Sequence, residues 1–315
     1  MKIVFFGTSE FAMPSLHALI GSRHKVLAVI TQTDKKKGRN LFVSPPPTKV
    51  LALTKEIPVF QPKDVSCEES VNYLRELDAD LFVVISFGQI LKKNVLAVPK
   101  FYSINLHGSL LPKYRGAAPT NWAVISGEKS SGVTIIRINE KMDEGDIITK
   151  REIPIEDQDT NITLNEKLAG LGAKVLIETI DAIESGKGLK FENQDGAAAT
   201  YAPKLKKEDG LIDWKEPPEK IHNKVRGLIP WPGAYTYYEG KILKVLQTEV
   251  PDNAVAVKDA EHGEVLEIAK GRGVIVRAGS GCIAVKYLQL EGKKVLDSDS
   301  FFRGHRIPVR YVLGK

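Results

Sequence analysis

Five short runs in the first part of the chain are almost continuously apolar: "KIVFFG", "KVLAVIT", "DLFVVISFG", "YSINLHG" and "GVTIIRI". Strands covered on both faces read this way, since neither side keeps a solvent-facing position for polar residues. Between these runs, Glu10–Ile20, Ser70–Leu77 and Pro119–Ile125 carry apolar residues at helical spacing. Strand and helix in alternation predict an α/β fold with a Rossmann-like, helix-covered parallel sheet. A longer helix is predicted from Leu164 to Ser185. Its inner face holds Leu164, Leu168, Leu171, Val175, Ile180 and Ile183, and "SGKG" stops it.

From about Lys206 the texture changes. "AYTYYEGKILKVLQTEV" and "GEVLEIAKGRGVIVRAGSGCIAVKYLQL" alternate polar and apolar residues over short runs. Glycine and Asp-Asn turns separate them, which predicts a smaller C-terminal β-barrel, OB-like in kind. Two domains are therefore expected, 1–205 and 206–315, within 315 residues.

Composition adds exclusions. No stretch approaches the roughly 20 apolar residues of a membrane span, and the N-terminus shows no secretory leader. A cytoplasmic monomer is expected. Cys67 and Cys282 lie far apart and match no metal spacing, so they read as unbridged structural thiols in a reducing compartment. The net charge is +6, with 26 Lys+Arg against 24 Asp+Glu up to residue 205 and 19 against 15 beyond it. More locally, "TDKKKGRNLFVSPPPTK" sets Lys35, Lys36, Lys37, Arg39 and Lys49 against Asp34 alone. Such a run reads as a solvated loop, or more sharply as a contact for a phosphate-rich partner.

The chemistry concentrates in "SINLHGSLLPKYRGAAPTNW". Asn105 and His107 stand two residues apart on an extended run, hence on one side of it. Downstream, "NEKMDEGDI" brings Asp143 to a glycine-containing loop after another strand, and "ISFGQIL" turns at Gly88 after a third. In an open α/β sheet such strand ends meet in one crevice. An amide, an imidazole and a carboxylate there suit acyl transfer: one polarises a carbonyl, one handles a proton, one orients the ring. The blander alternative is a structural His–Asp hydrogen-bond pair. Other chemistries are excluded more firmly. Gly7 is the only glycine of "FFGTSEFA", so the dinucleotide fingerprint is missing, and no Walker A motif occurs. Ser9, Ser86 and Ser109 lie in no G-x-S-x-G elbow. The six histidines show no metal-ligand spacing, so no metal is expected.

"INLHGSLLPKYRGAAP" followed by "MDEGDI" resembles the signature of the 10-formyltetrahydrofolate-dependent formyltransferases. The detail is most like that of the members acting on methionyl-tRNA, and the resemblance extends through "IVFFGTSEFA", "FGQIL", "YAPKLKKEDGLIDW" and "VRGLIPWPGAY" with no departure at any motif position. It implies that Asn105, His107 and Asp143 are catalytic, with Asn105 and His107 bonding the oxyanion and Asp143 orienting His107 and moving protons. It further implies a folate segment at Ser109, Leu110, Leu111 and Pro112, with backbone from Phe87 through Gly88 and Gln89 to Ile90 against the pterin. The formyl acceptor implied is charged initiator tRNA, with Lys35, Lys36, Lys37 and Arg39 as tRNA contacts and the C-terminal domain as a second one. Because related enzymes formylate amino sugar nucleotides with the same three residues, that acceptor is the alternative. A non-catalytic RNA-binding protein on the same scaffold is another, disfavoured by the intact triad.

Overall fold

The structure, a computed structural model, describes residues 1–37, 42–186, 188–251, 259–305 and 307–314. The chain forms two compact units: Met1–Pro119, Ser130–Pro154 and Asn165–Ala202 in the first, and Thr120–Lys129, Ile155–Leu164 and Pro203–Lys315 in the second. Residues 120–129, 155–164 and 203–205 thus group with the second unit.

In chain order the elements are β1 (Lys2–Gly7), α1 (Met13–Ile20), β2 (Lys25–Ile30), β3 (Lys35–Lys37), β4 (Phe42–Ser44), α2 (Pro47–Thr54), β5 (Val59–Phe60), α3 (Glu68–Glu76) and β6 (Leu81–Ile85). There follow α4 (Lys93–Leu96), β7 (Ser103–His107), β8 (Arg115–Gly116), α5 (Pro119–Ile125), β9 (Ser130–Arg137), β10 (Ile147–Pro154), α6 (Asn161–Ser185) and β11 (Tyr201–Ala202). The main sheet has the order β10-β9-β7-β6-β1-β2-β5. Neighbours from β7 to β5 are parallel. The run "GVTIIRI", expected as one more parallel strand, is β9 and runs antiparallel to β7, as does β10 to β9. Antiparallel neighbours can be joined by a short loop, and residues 138–146 are that loop. It is the loop that carries Asp143.

After β1 the chain moves outward through β2 and β5, then returns to place β6 on the other side of β1. Such a reversal opens a crevice at the carboxyl ends of the strands. Below it, Phe6 packs on Phe82 and Phe87 at ring-centroid distances of 5.0 and 5.4 Å. Burying each ring contributes about 2–3 kcal/mol, and it pins the chain as it leaves β6.

The second unit adds α7 (Pro218–Gly227), β12 (Ala234–Tyr238), β13 (Lys241–Glu249), β14 (Val265–Ala269), β15 (Gly273–Ala278), β16 (Gly281–Leu290), β17 (Leu296–Asp297) and α8 (Ser298–Gly304). Its sheet has the antiparallel order β12-β13-β16-β15-β14, with β17 on β16. Ile221 and Val225 of α7 and Phe301 of α8 join Leu243, Val276 and Ile283 of the sheet in one core. Among the described residues no pairing joins β12 to β14; the predicted C-terminal β domain is an antiparallel sheet packed on helices. No helix among the described residues is long and apolar enough to cross a membrane. Cys67 and Cys282 form no disulfide.

Candidate active site

Strand β7 alternates as its sequence predicts. Ile104 and Leu106 are buried in the core at 0% and 2% exposure, which turns Asn105 and His107 to the other face. Asn105 pairs in register with Val84 of β6 and Ile136 of β9, and His107 with Thr134 of β9.

The 138–146 loop delivers the carboxylate. Asn105 Nδ2 donates to Asp143 Oδ1 at 3.3 Å, and the Gly116 N–H donates to Oδ2 at 2.9 Å. His107 Nδ1 lies 3.7 Å from Asp143 Oδ2. The contact that fixes the ring is a different one: Nε2 is 2.9 Å from the Tyr114 carbonyl oxygen. A carbonyl only accepts, so Nε2 carries a hydrogen and Nδ1 is the nitrogen turned toward Asp143. The ring is thus held at Nε2 by Tyr114 O, with Asp143 facing its other nitrogen. The Tyr114 backbone is left-handed, with φ +61°, a geometry no pattern in the sequence announces.

Around this centre the "HGSLLP" turn is tied internally. Ser109 Oγ donates to Lys113 O at 2.6 Å. The Thr134 hydroxyl accepts from Leu111 N at 3.1 Å and donates to Ser109 O at 2.7 Å. Leu111 itself is a core side chain, packed with Ile136 and Ile147, so only Leu110 and Pro112 of the expected folate segment keep partly exposed side chains. Arg115 and Gly116 pair with Tyr201 and Ala202, and the Tyr114 N–H donates to Thr200 Oγ1 at 2.9 Å.

The segment after β6 divides its roles by side chain. Phe87 is 2% exposed and structural, and its carbonyl accepts from Thr8 Oγ1 at 2.9 Å. Gln89 is held through its amide, which accepts from Val65 N at 2.9 Å and donates to Pro62 O at 3.1 Å. Gly88 and Ile90 are exposed. No backbone–backbone hydrogen bond among the described residues engages Gly88, Gln89 or Ile90. Beside Gly88 the buried Gln32 Nε2 has no hydrogen-bond partner among the described residues.

Of the basic run, Lys35–Lys37 form β3 and pair with Phe42–Ser44 in an antiparallel hairpin, where a loop was expected. Lys35 is exposed, and Arg39 lies outside the described residues. Lys49 leaves the run: its Nζ sits 2.8 Å from Asp34 Oδ2 and 2.8 Å from Gln61 Oε1. Hydrogen bonds from Lys49 and Gln61 hold the Asp34 carboxyl below its usual range.

One group of metal-ligand type does meet among the described residues: His24, Asp181 and Glu184 offer atoms within 4.8 Å of one another. Arg23 already pairs with the two carboxylates at 2.7 and 2.6 Å. Burial, with the Met1 ammonium beside it, holds His24 below its ordinary value, and its Nε2 lies 3.1 Å from Asp181 Oδ1. The group is an ion-paired anchor for α6, and a cation would have to displace Arg23.

A mixed sheet with an amide, an imidazole and a carboxylate at its carboxyl edge, followed by a small antiparallel unit, has the parts an acyl-group transferase needs. Residues 1–180 match the formyl transferase family and residues 204–306 its C-terminal domain; the chain belongs to the formyl transferase family. Within it, the full-length likeness is to methionyl-tRNA formyltransferases. That of Geobacter sulfurreducens is 46% identical over 315 residues, covering 100% of this chain and 97% of its own. That of Citrifermentans bemidjiense is 46% identical over 316 residues, with the same coverage of 100% and 97%. Among solved structures, the sugar 3N-formyl transferase WlaRD, crystallised in the presence of dTDP and 5-N-formyl-THF, superposes with a TM-score of 0.68 at 22% identity, covering 93% of this chain and 99% of its own. That likeness establishes a shared fold.

Proposed function

We propose that the chain transfers the formyl group of 10-formyltetrahydrofolate to the free amine of methionyl initiator tRNA, supplying formylmethionyl-tRNA for translation initiation in the cytoplasm. The observation that carries this reading is the convergence of Asn105, His107 and Asp143 in a chain about 46% identical, end to end, to methionyl-tRNA formyltransferases. The residues present fit a folate. The backbone of Gly88–Ile90, with no backbone–backbone hydrogen bond among the described residues, and the Gln32 Nε2, with no partner among them, suit the polar edge of a fused heterocycle, and the partly exposed Leu110 suits its apolar face.

When bound, the folate supplies the electrophilic formyl carbon and the nitrogen that leaves it. The chain's own residues hold an oxygen and move a proton. As the methionyl nitrogen bonds to the formyl carbon, negative charge builds on the formyl oxygen. Asn105 Nδ2, which has a second hydrogen beyond the one given to Asp143, is placed to bond that oxygen, and His107 Nδ1 can bond it once it carries a hydrogen as well. Asp143 takes the proton shed by the attacking amine and returns it to the leaving nitrogen as the old carbon–nitrogen bond breaks. Gly116 N–H holds the carboxylate in reach of both.

Asn105→Ala, His107→Ala and Asp143→Ala are each expected to lower the single-turnover rate by about 100- to 1,000-fold with the fold intact. The acceptor is tested by incubating the protein with 10-formyltetrahydrofolate, charged initiator tRNA and a competing amino sugar nucleotide. Formyl groups should appear on the methionine. Label on the sugar with the tRNA left unmodified would overturn the acceptor assignment.

A further inference from the structure

Asp143 occupies the left-handed region at φ +54°, uncommon for a non-glycine residue although Asp enters it more readily than most. Its loop is largely exposed, with Lys141 and Met142 in solvent. Something outside the loop must hold it, and Gln194 does. Its Nε2 donates to the carbonyls of Asp143 and Gly145, each at 2.8 Å. On the other side its Oε1 accepts both Nε and Nη2 of Arg115, at 3.0 and 2.9 Å. Arg115 is 5% exposed and spends its remaining nitrogen, Nη1, on Glu144 at 3.1 Å.

We infer that Gln194 and Arg115 are positioning residues for the formyl transfer reaction: together they set the Asp143 carboxylate beside His107 and Asn105. The inference rests on the proposed transferase function. The chemistry of position 194 is narrow. Arg115 is donor-only, so it fixes which end of the amide faces it, and the two carbonyls are acceptor-only, so the opposite end must offer two hydrogens. A glutamate would present acceptors to both carbonyls, and a cation would face Arg115. Only an amide of this length satisfies both sides. The segment is placed by its own pairing, since Ile147 and Glu192 exchange backbone hydrogen bonds at 2.8 and 2.9 Å, which carries Gln194 onto the loop. The grip closes through the next residue, because Gly116, adjacent to Arg115 in β8, gives its N–H to Asp143 Oδ2.

The test uses the full-length protein with Gln194→Ala, Gln194→Glu and Arg115→Lys. Single-turnover formylation should fall about 10- to 100-fold in each, as expected for a catalytic group displaced by a fraction of an ångström to an ångström. The KM values for folate and charged tRNA should stay within about two-fold, since neither residue is placed against substrate. A second reading does not depend on the acceptor: the His107 ring-nitrogen chemical shifts should move in Gln194→Ala in the direction seen for Asp143→Asn. If Gln194→Ala does not fold, the isosteric Gln194→Glu decides by the same two readings. Parent-like rates, or lowered rates with His107 signals unchanged, overturn the positioning role. A parent protein that fails to formylate charged tRNA would sink the functional reading alone, because the His107 shifts would still report whether the clamp holds.

Discussion

Replacing Gly116 with alanine tests the strap on which the site hangs. Gly116 has φ +125°, and a β-carbon there would lie 2.6 Å from the Ala202 carbonyl oxygen. Ordinary contact begins near 3.4 Å, so Gly116 or Ala202 must retreat by about 0.8 Å. The same oxygen accepts the N–H groups of Ala117 and Ala118 at 2.9 and 3.2 Å, and Gly116 N holds Asp143 Oδ2 at 2.9 Å. Stretching that last bond to about 3.7 Å breaks it. The left-handed strain adds about 1–3 kcal/mol, and each hydrogen bond lost about 1 kcal/mol. Gly116→Ala should therefore lose about 2–4 kcal/mol of stability in urea melts. Its single-turnover rate should drop about 100-fold, because the carboxylate loses its anchor. Gly186→Ala is the control: φ there is +66°, and among the described residues beyond its chain neighbours no atom lies within 4 Å of the added carbon. It should cost stability through strain alone and leave the rate unchanged. A Gly116→Ala enzyme within about three-fold of the parent rate would refute the reasoning, since the strap would then absorb the displacement without moving Asp143.

Thr134→Val keeps the shape of a fully buried residue while orphaning Leu111 N and Ser109 O; a loss of about 1–3 kcal/mol per orphaned group is expected in urea melts, and a change below about 0.5 kcal/mol would remove Thr134 from the turn's support. Burial, with Arg226 adding in the same direction, holds His222 below its ordinary value of 6.5. The unfolded chain thus binds the proton first, so the associated stability is full above about pH 6.5 and is lost as the pH falls through the lower folded value. The parent's melting temperature should drop on acidification more steeply than that of His222→Gln, and parallel slopes would exclude the assignment. Gln at positions 35, 36 and 37 should flatten the salt dependence of tRNA affinity by about 0.7–0.9 log units per log unit of salt for each phosphate contact removed, with folate binding unchanged; an unaltered slope would take β3 out of the tRNA contact.

The proposed catalytic trio stood out in the sequence because each member breaks a local rule, and the family resemblance supplied the roles. Asn105 and His107 are polar intrusions in an apolar strand, and Asp143 precedes a glycine after another. The central strands were legible because two-sided burial leaves continuous apolar runs. β10 was not: as an edge strand it exposes Lys150, Arg151 and Glu152, which erases that signature. Lys49 reads as part of a basic run until the fold brings Asp34 and Gln61 to it. The Tyr114 carbonyl and the Gln194 amide were beyond any sequence pattern. One acts through backbone geometry, and the other is an ordinary glutamine whose partners are 49 to 79 residues away.

The pairing of β8 with β11 also sets an order of assembly. Tyr114 and Thr200 are 86 residues apart, and closing so long a loop costs chain entropy that its few bonds repay only once the sheet between them has formed. A chain emerging from the ribosome therefore exposes Asn105, His107 and Asp143 well before it possesses the residues that space them. The stretch matched by the catalytic-domain family ends at residue 180, short of Gln194 and of Tyr201–Ala202. The proposed catalytic groups would gain this frame only with β11, the last strand of the first unit, and a boundary drawn at residue 180 would leave them without it.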